Sequence, residues 1–187
     1  LIILASASPR RQELLQQIGC TFRCVPSDAC EIDRQDISPQ DLVIHNARLK
    51  AVAVSGRQSD LPVLGADTVV CLDGKIFGKP ADSLQARQML QALSGRWHEV
   101  CTGIALVSKG EIWTDAVTTR VRFAELEDAV IERYVASGEP DDKAGAYAIQ
   151  GQAAAFIEGI EGCYSNVVGL PLARLTRLAK KAGIDLR

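Results

Sequence analysis

The sequence predicts a mixed α/β fold, an α+β arrangement around one sheet, and three observations carry that expectation. Short apolar runs with strand character are interspersed with segments of helical periodicity. Two of the runs are joined to their successors by Asp73-Gly74 and Lys109-Gly110, turn dipeptides suited to hairpins. Hairpins mixed with helical crossovers exclude a strict alternation of parallel βαβ units. A length of 187 residues with 47% hydrophobic and 24% charged side chains is ordinary globular composition. One domain spanning 1–187 is expected, since no linker, repeat or low-complexity stretch divides the chain.

The elements follow in order. Leu1–Ala5 is a continuous apolar run and reads as a buried strand. Ser8-Pro9 reads as an N-cap followed by proline at the first helical position, with Leu14, Leu15 and Ile18 as the apolar face and Gly19 as the stop. Cys20–Val25 alternates and is expected to be a strand. A second helix is expected over Pro39–Val54, with Val43, Ala47, Ala51 and Val54 in one stripe. Leu61–Leu72 is the most apolar strand candidate, and Lys75–Gly78 returns beside it. Ser83–Leu93 reads as a helix ended near Gly95. Val100–Ser108 and Ile112–Phe123 form a second hairpin, and Glu125–Ser137 a helix closed by Gly138. Tyr147–Ile160 is expected to hold two short strands, and Leu170–Ala182 the last helix.

Charge and cysteine usage narrow the function classes. Twenty-one basic against 23 acidic residues give a net charge of −2, a poor match for a general nucleic-acid binder. No apolar run approaches the ~20 residues that span a bilayer. Six cysteines without a CxxC pair, and no signal-peptide pattern, read as reduced thiols, mostly core fillers, in a cytoplasmic protein. His45 and His98 are the only histidines, and no ligand spacing for zinc accompanies them.

Chemistry concentrates at two places. The strand-to-helix turn Ser6-Ala7-Ser8-Pro9-Arg10-Arg11 offers unpaired helix N–H groups, two hydroxyls and two guanidinium forks. Arginines in a first turn oppose the helix dipole, so the pattern reads either as an anion site or as a solvated helix start. Asp67, within Gly65-Ala66-Asp67-Thr68, places a carboxylate in an apolar strand, which is costly unless it is paired or metal-bound. It is a candidate catalytic or metal-binding group, against a strand-end carboxylate capping a loop, and Thr68 is expected on the opposite face. Lys50, Lys79 and Lys143 taken singly are weak signals, and Glu31 or Asp33 in a polar stretch offers a further metal oxygen. His98, isolated, reads as structural more readily than as catalytic.

The chain also carries an ordered set of blocks: LASASPRR at Leu4–Arg11, Lys50-Ala51, GADTVV at Gly65–Val70, GKP at Gly78–Pro80 and LSGRWHEVCTG at Leu93–Gly103. YVASGEPDDKAGAYAIQG at Tyr134–Gly151 and VVGLPL at Val167–Leu172 complete it. In these blocks the sequence resembles the Maf family of nucleoside triphosphate pyrophosphatases over essentially its whole length. The resemblance implies a fold like that of inosine triphosphate pyrophosphatases, with two lobes around a nucleotide-binding cleft, and a homodimer. It implies hydrolysis of a nucleoside triphosphate to the monophosphate and pyrophosphate, assisted by Mg²⁺ or Mn²⁺, and no stable nucleic-acid or membrane partner. Asp67 becomes the catalytic carboxylate. Ser6, Ser8, Arg11, Lys50 and Lys79 become phosphate-binding residues, and Asp67 and Glu31 the metal ligands. Arg10, Thr68 and Gln150 stand at the substrate-sorting positions, in the combination of the branch that acts on dTTP and UTP. Two departures stand out: Cys30-Glu31 where an acidic pair is usual, with Asp28 or Asp33 as possible replacements, and His45-Asn46 where a pair such as Arg-Leu often precedes the Ala-x-x-Lys element. Other readings remain, a pyrophosphatase for another, modified nucleotide or a nucleotide-sensing regulator of septum formation.

Overall fold

The computed structural model describes residues 1–57 and 61–187. Its strands are β1 (Ile2–Leu4), β2 (Phe22–Cys24), β3 (Val63–Leu72), β4 (Lys75–Phe77), β5 (Trp97–Ser108), β6 (Glu111–Phe123) and β7 (Ile157–Glu161). The helices are α1 (Pro9–Gln17), α2 (Pro39–Ser55), α3 (Ser83–Leu93), α4 (Asp128–Ala136), α5 (Tyr164–Val168) and α6 (Leu172–Lys181). Seven strands form one mixed sheet in the order β2-β1-β3-β5-β6-β7, with β4 pairing the far end of β3. The pairs β2/β1 and β1/β3 are parallel and all others antiparallel, so the expected mixture of hairpins and crossovers is present.

Two glycines decide how closely α2 lies on the sheet. Gly65 and Gly103 lie on the same face as Asp67, Gly65 two residues before it and Gly103 as its cross-strand partner. An ideal Cβ on Gly65 would sit 2.1 Å from the Ala47 carbonyl oxygen, and one on Gly103 would sit 2.4 Å from Val43 backbone atoms. The helix backbone therefore occupies the space a side chain would need. Ser38 caps this helix, its hydroxyl accepting the Asp41 N–H at 3.1 Å. Small and branched residues fill the contact between α2 and the sheet, among them Ala47, Ala51 and Val54 from the helix and Ala105 and Val107 from β5.

The rest of the apolar interior among the described residues is a small cluster of Leu42, Val43, Val69, Ile76 and Cys101 and two large ones. One joins β1, α1 and α6 through Leu4, Leu15, Leu64, Leu175 and Leu178. The other gathers α3 and α4 around Phe77, Leu90, Phe123, Ile131 and Tyr134. The β1–α1 turn belongs to the first region and residues 144–147 to the second, and a cleft opens between them.

Several expected boundaries shift. Only β7 forms within 147–160, where two strands were expected. Gln152–Phe156 is instead a 3-10 segment, consistent with an alanine run that has little strand preference. The short helix α5 is absent from the sequence expectation, because five residues are too few to display a helical period. β5 begins at Trp97 rather than Val100, α4 at Asp128 rather than Glu125, and α6 at Leu172, after Pro171. The thiols also divide: Cys20, Cys71 and Cys101 are buried, whereas Cys24 and Cys30 are exposed and fill no core.

Candidate active site

Asp67 is the electrostatic centre of the site. It lies in mid-strand and is only 6% exposed, and both its carboxylate oxygens are engaged from α2. The Lys50 ammonium donates to Oδ1 at 2.8 Å, and the Asn46 amide donates to Oδ2 at 3.2 Å. Pairing and hydrogen bonding are what make a buried carboxylate tolerable, so the strand-end capping alternative does not apply. Lys50 also reaches Glu31 Oε1 at 2.9 Å, so one ammonium joins the strand carboxylate to a loop carboxylate. Asn46 repeats the connection one turn earlier on α2. Its side chain accepts the Ile32 N–H at 2.9 Å and donates to the Ile32 carbonyl at 3.0 Å, pinning the loop that carries Glu31.

On the opposite face of β3, Thr68 pairs with Thr102 across the strands, their hydroxyl oxygens 2.9 Å apart. Arg11 converges on the same point. Its guanidinium donates to Thr68 Oγ1 at 3.1 Å, to Ser6 Oγ at 3.3 Å and to the Gly169 carbonyl at 2.8 Å. Arg11 makes no ion pair within 4 Å among the described residues, and burial lowers its pKa from the usual arginine value, partly offset by the nearby charge of Asp67. Such a cation is suited to an incoming anion. The Ser6 hydroxyl oxygen accepts from both the Ser8 N–H at 3.2 Å and Arg11, which leaves its proton free to donate. Ser8 makes no side-chain capping bond and the first turn of α1 holds no acid, so the helix N–H groups face the cleft without a competing carboxylate.

These groups line one cavity of about 360 Å³, within the range of small-molecule sites. Ser6, Ser8, Arg10, Arg11, Glu31, Lys50, Asp67, Thr68 and Lys79 all contribute to its wall, as do Asp142 and Tyr147–Ile149. Gln150 is the exception among the residues to which the resemblance assigns a role: it is exposed and not part of the wall, which its neighbours Ala148 and Ile149 form. Lys143 lies outside the wall but pairs with Asp142 in it, and that ion pair holds the Asp142 carboxyl below its usual range. Neither proposed replacement for the missing acid enters this cavity. Asp28 is bound to Arg57 at 2.6 Å, and Asp33 faces an adjoining cavity of about 640 Å³ that shares Glu31, Asp67, Thr68 and Lys79 with the first. Asn46 is the residue that sequence reasoning noted only as a departure; its spacing of four from Lys50 was the available signal.

His98 is structural, as its isolation suggested. It is buried against Phe123 and Tyr147, its Nε2 lies 2.8 Å from the Tyr147 hydroxyl, and burial lowers its pKa to about 4. An unfolded chain takes up this proton near pH 6.5, whereas the folded one does so only near pH 4. Stability is therefore expected to fall as pH drops through that window, by about 2 kcal/mol at pH 5 relative to neutral pH. Urea unfolding of the protein and of His98→Gln at pH 7 and pH 5 checks this, the variant losing less on acidification.

A family model described as Maf-like protein matches residues 1–182. A dTTP/UTP pyrophosphatase of Pelotomaculum thermopropionicum is 50% identical over 187 residues, covering 99% of this chain and 98% of the relative. Relatives with the same description occur in Methylobacillus flagellatus, 50% identical over 99% of this chain and 94% of the relative, and in Bacillus thuringiensis, 48% identical over 99% and 97%. Among solved structures, the Ham1 protein of Staphylococcus aureus aligns with a TM-score of 0.46 at 15% identity, over 66% of this chain and 72% of that one. With a family model spanning nearly every residue and half-identical relatives over the full length, the chain belongs to the Maf-like proteins.

Proposed function

We infer that this protein is a nucleoside triphosphate pyrophosphatase that hydrolyses dTTP and UTP to the monophosphate and pyrophosphate. The observation that carries the chemistry is the Lys50 bridge, which sets Asp67 and Glu31 side by side in the wall of a cavity rich in anion-binding groups. The substrate comes from the names of relatives about 50% identical over their full length.

Asp67 accepts the proton of the attacking water, and the Lys50 ammonium on Oδ1 leaves Oδ2 and its Asn46 partner to fix the carboxylate plane. Attack falls on the α-phosphorus and the leaving group is pyrophosphate. The N-terminal N–H groups of α1, the Ser6 and Ser8 hydroxyls, Arg11 and Lys79 take the phosphate oxygens and the charge that grows on the leaving side. Arg10, with no ion-pair or hydrogen-bond partner among the described residues, is free to join them or to meet the base. Thr68 acts through Arg11, which it orients, and Gln150 stands beside the segment that meets the base.

A divalent cation, Mg²⁺ or Mn²⁺, fits the donor set. Glu31 and Asp67 each have an oxygen within 2.9 Å of one ammonium, so they are close enough to serve one cation. Among the described residues no cluster of three His, Cys, Asp or Glu side chains forms a complete cage. Two carboxylates completed by substrate phosphates is the usual Mg²⁺ arrangement. When bound there, the cation would supply charge neutralisation at the α-phosphate. Homodimerisation and a cytoplasmic location complete the reading; among the described residues no helix is long and apolar enough to cross a membrane.

Incubation with UTP, dTTP, CTP, GTP and 7-methyl-GTP, each with Mg²⁺ or Mn²⁺, tests it. Monophosphate plus pyrophosphate from UTP and dTTP in preference to the others is expected. Nucleoside diphosphate plus orthophosphate would overturn the point of attack, and binding of UTP without turnover would favour a nucleotide-sensing role.

A further inference from the structure

The segment Tyr147–Ile149 faces the cleft yet belongs to no sheet ladder or helix. Its residues are 6–8% exposed, and among the described residues the Tyr147 C=O and the N–H and C=O of Ile149 have no hydrogen-bond partner. Buried main-chain groups are almost always satisfied, so an open set along a cleft wall is a recognition surface. For uracil or thymine the requirement is a donor for O4 and an acceptor for N3–H, which one open N–H and one open C=O supply. Cytosine presents the reverse pattern.

A recognition surface without a ladder needs something else to hold it still. Here the holding group is a Tyr–Glu pair from outside the cleft. The buried Tyr134 hydroxyl accepts the Ala148 N–H at 3.2 Å and donates to Glu139 Oε1 at 2.9 Å. Glu139 Oε2 accepts the Gln152 N–H at 3.1 Å. A turn closes between these anchors, the Gly151 N–H bonding the Ala148 carbonyl at 3.0 Å. Gly151 has no side chain because the carboxylate fills its place: an ideal Cβ would lie 2.1 Å from Glu139 Oε1. One half-buried carboxylate and one phenol thus fix both ends of 148–152, and neither forms part of the cleft wall.

We propose that Glu139, acting with Tyr134, is a positioning residue for base recognition, holding Tyr147–Gln150 so that its open main-chain groups select uracil and thymine over cytosine. This rests on the pyrimidine triphosphate reading given above. The test measures kcat and KM for UTP and CTP, together with inhibition by inorganic pyrophosphate, in Glu139→Ala, Tyr134→Phe and Glu139→Gln. Glu139→Ala removes both acceptors, and Tyr134→Phe removes only the hydroxyl while keeping the ring against Phe156. In both, the preference for UTP over CTP is expected to fall by about tenfold or more, chiefly through a higher KM for UTP, since a lost polar reading costs selectivity before chemistry. Pyrophosphate inhibition should stay within about twofold, because the anion cradle is untouched, and Glu139→Gln should retain most of the preference, because an amide can still pair with both partners. Undiminished selectivity in Glu139→Ala and Tyr134→Phe would overturn the proposal, as would a parallel loss of pyrophosphate inhibition, which would mark a general collapse of the site. If the unaltered protein itself shows no preference for UTP, the substrate reading fails instead.

Discussion

Asp67→Asn is expected to lower turnover at least ~100-fold, the scale of a lost general base. The substitution keeps the shape of the side chain and an acceptor for Lys50, so the wall of the cleft stays in place. What it removes is the basicity, and with it half of the negative charge that Lys50 balances between β3 and the Glu31 loop. The amide also turns a donor towards Asn46, whose own donor now faces it. Triphosphate affinity should change far less than kcat, because Ser6, Ser8, Arg11 and Lys79 bind the phosphates from other elements. Steady-state kinetics with UTP, beside a thermal unfolding curve showing that the variant is folded, decides the matter. Near-normal kcat would remove Asp67 from the role of base.

Gly65→Ala is expected to be the most damaging single-methyl change in the protein. The added carbon would lie 2.1 Å from the Ala47 oxygen and 2.9 Å from the Ala51 nitrogen, and both are helix backbone, so no rotamer change relieves the contact. Either α2 lifts from the sheet or β3 recedes, exposing or straining the interface that buries Ala47, Ala51 and Val54. We expect a loss above ~3 kcal/mol, beyond the usual range for overpacking. Activity should fall too, because Asn46 and Lys50 ride on the displaced helix. Gly78→Ala, where a Cβ meets nothing within 4 Å, is the matching control and should unfold within ~0.5 kcal/mol of the parent. Urea denaturation measures both; equal stability of Gly65→Ala and Gly78→Ala would show that the helix–sheet approach is not held by these glycines.

The parts of the site that were legible in the sequence are those whose local cost is visible there. A carboxylate in an apolar strand and two arginines at a helix start are both unfavourable without a reason, and both line the cleft. Hairpins announced by Asp73-Gly74 and Lys109-Gly110 were legible for the same kind of reason, since those turns place non-glycine residues at φ 50° and 52° ahead of a glycine. Less visible was whatever depends on register. The Thr68–Thr102 pair exists because β3 and β5 align those residues, and no local pattern states that alignment. Asn46 stood out only as a departure from the family pattern, because its partners, Ile32 and Asp67, are remote in sequence. Gln150 shows the converse: resemblance marks the position, while the structure puts its neighbours, not its side chain, on the cleft wall.

Sheet order has a consequence for the birth of the protein. The long β5–β6 hairpin, paired from Trp97↔Arg122 to Ser108↔Glu111, closes on a short turn and needs nothing remote. β1 has no such neighbour, since its partners are β2 and, across the whole of α2, Val63 and Leu64 of β3. Loop closure of that length is slow compared with zipping a hairpin. β1, synthesised before β3, thus waits for the middle of the chain before it can dock, and the turn after it carries Ser6, Ser8, Arg10 and Arg11. A nascent chain acquires its phosphate cradle only after the sheet has a surface to receive it, so catalytic competence is a late event in the life of each molecule.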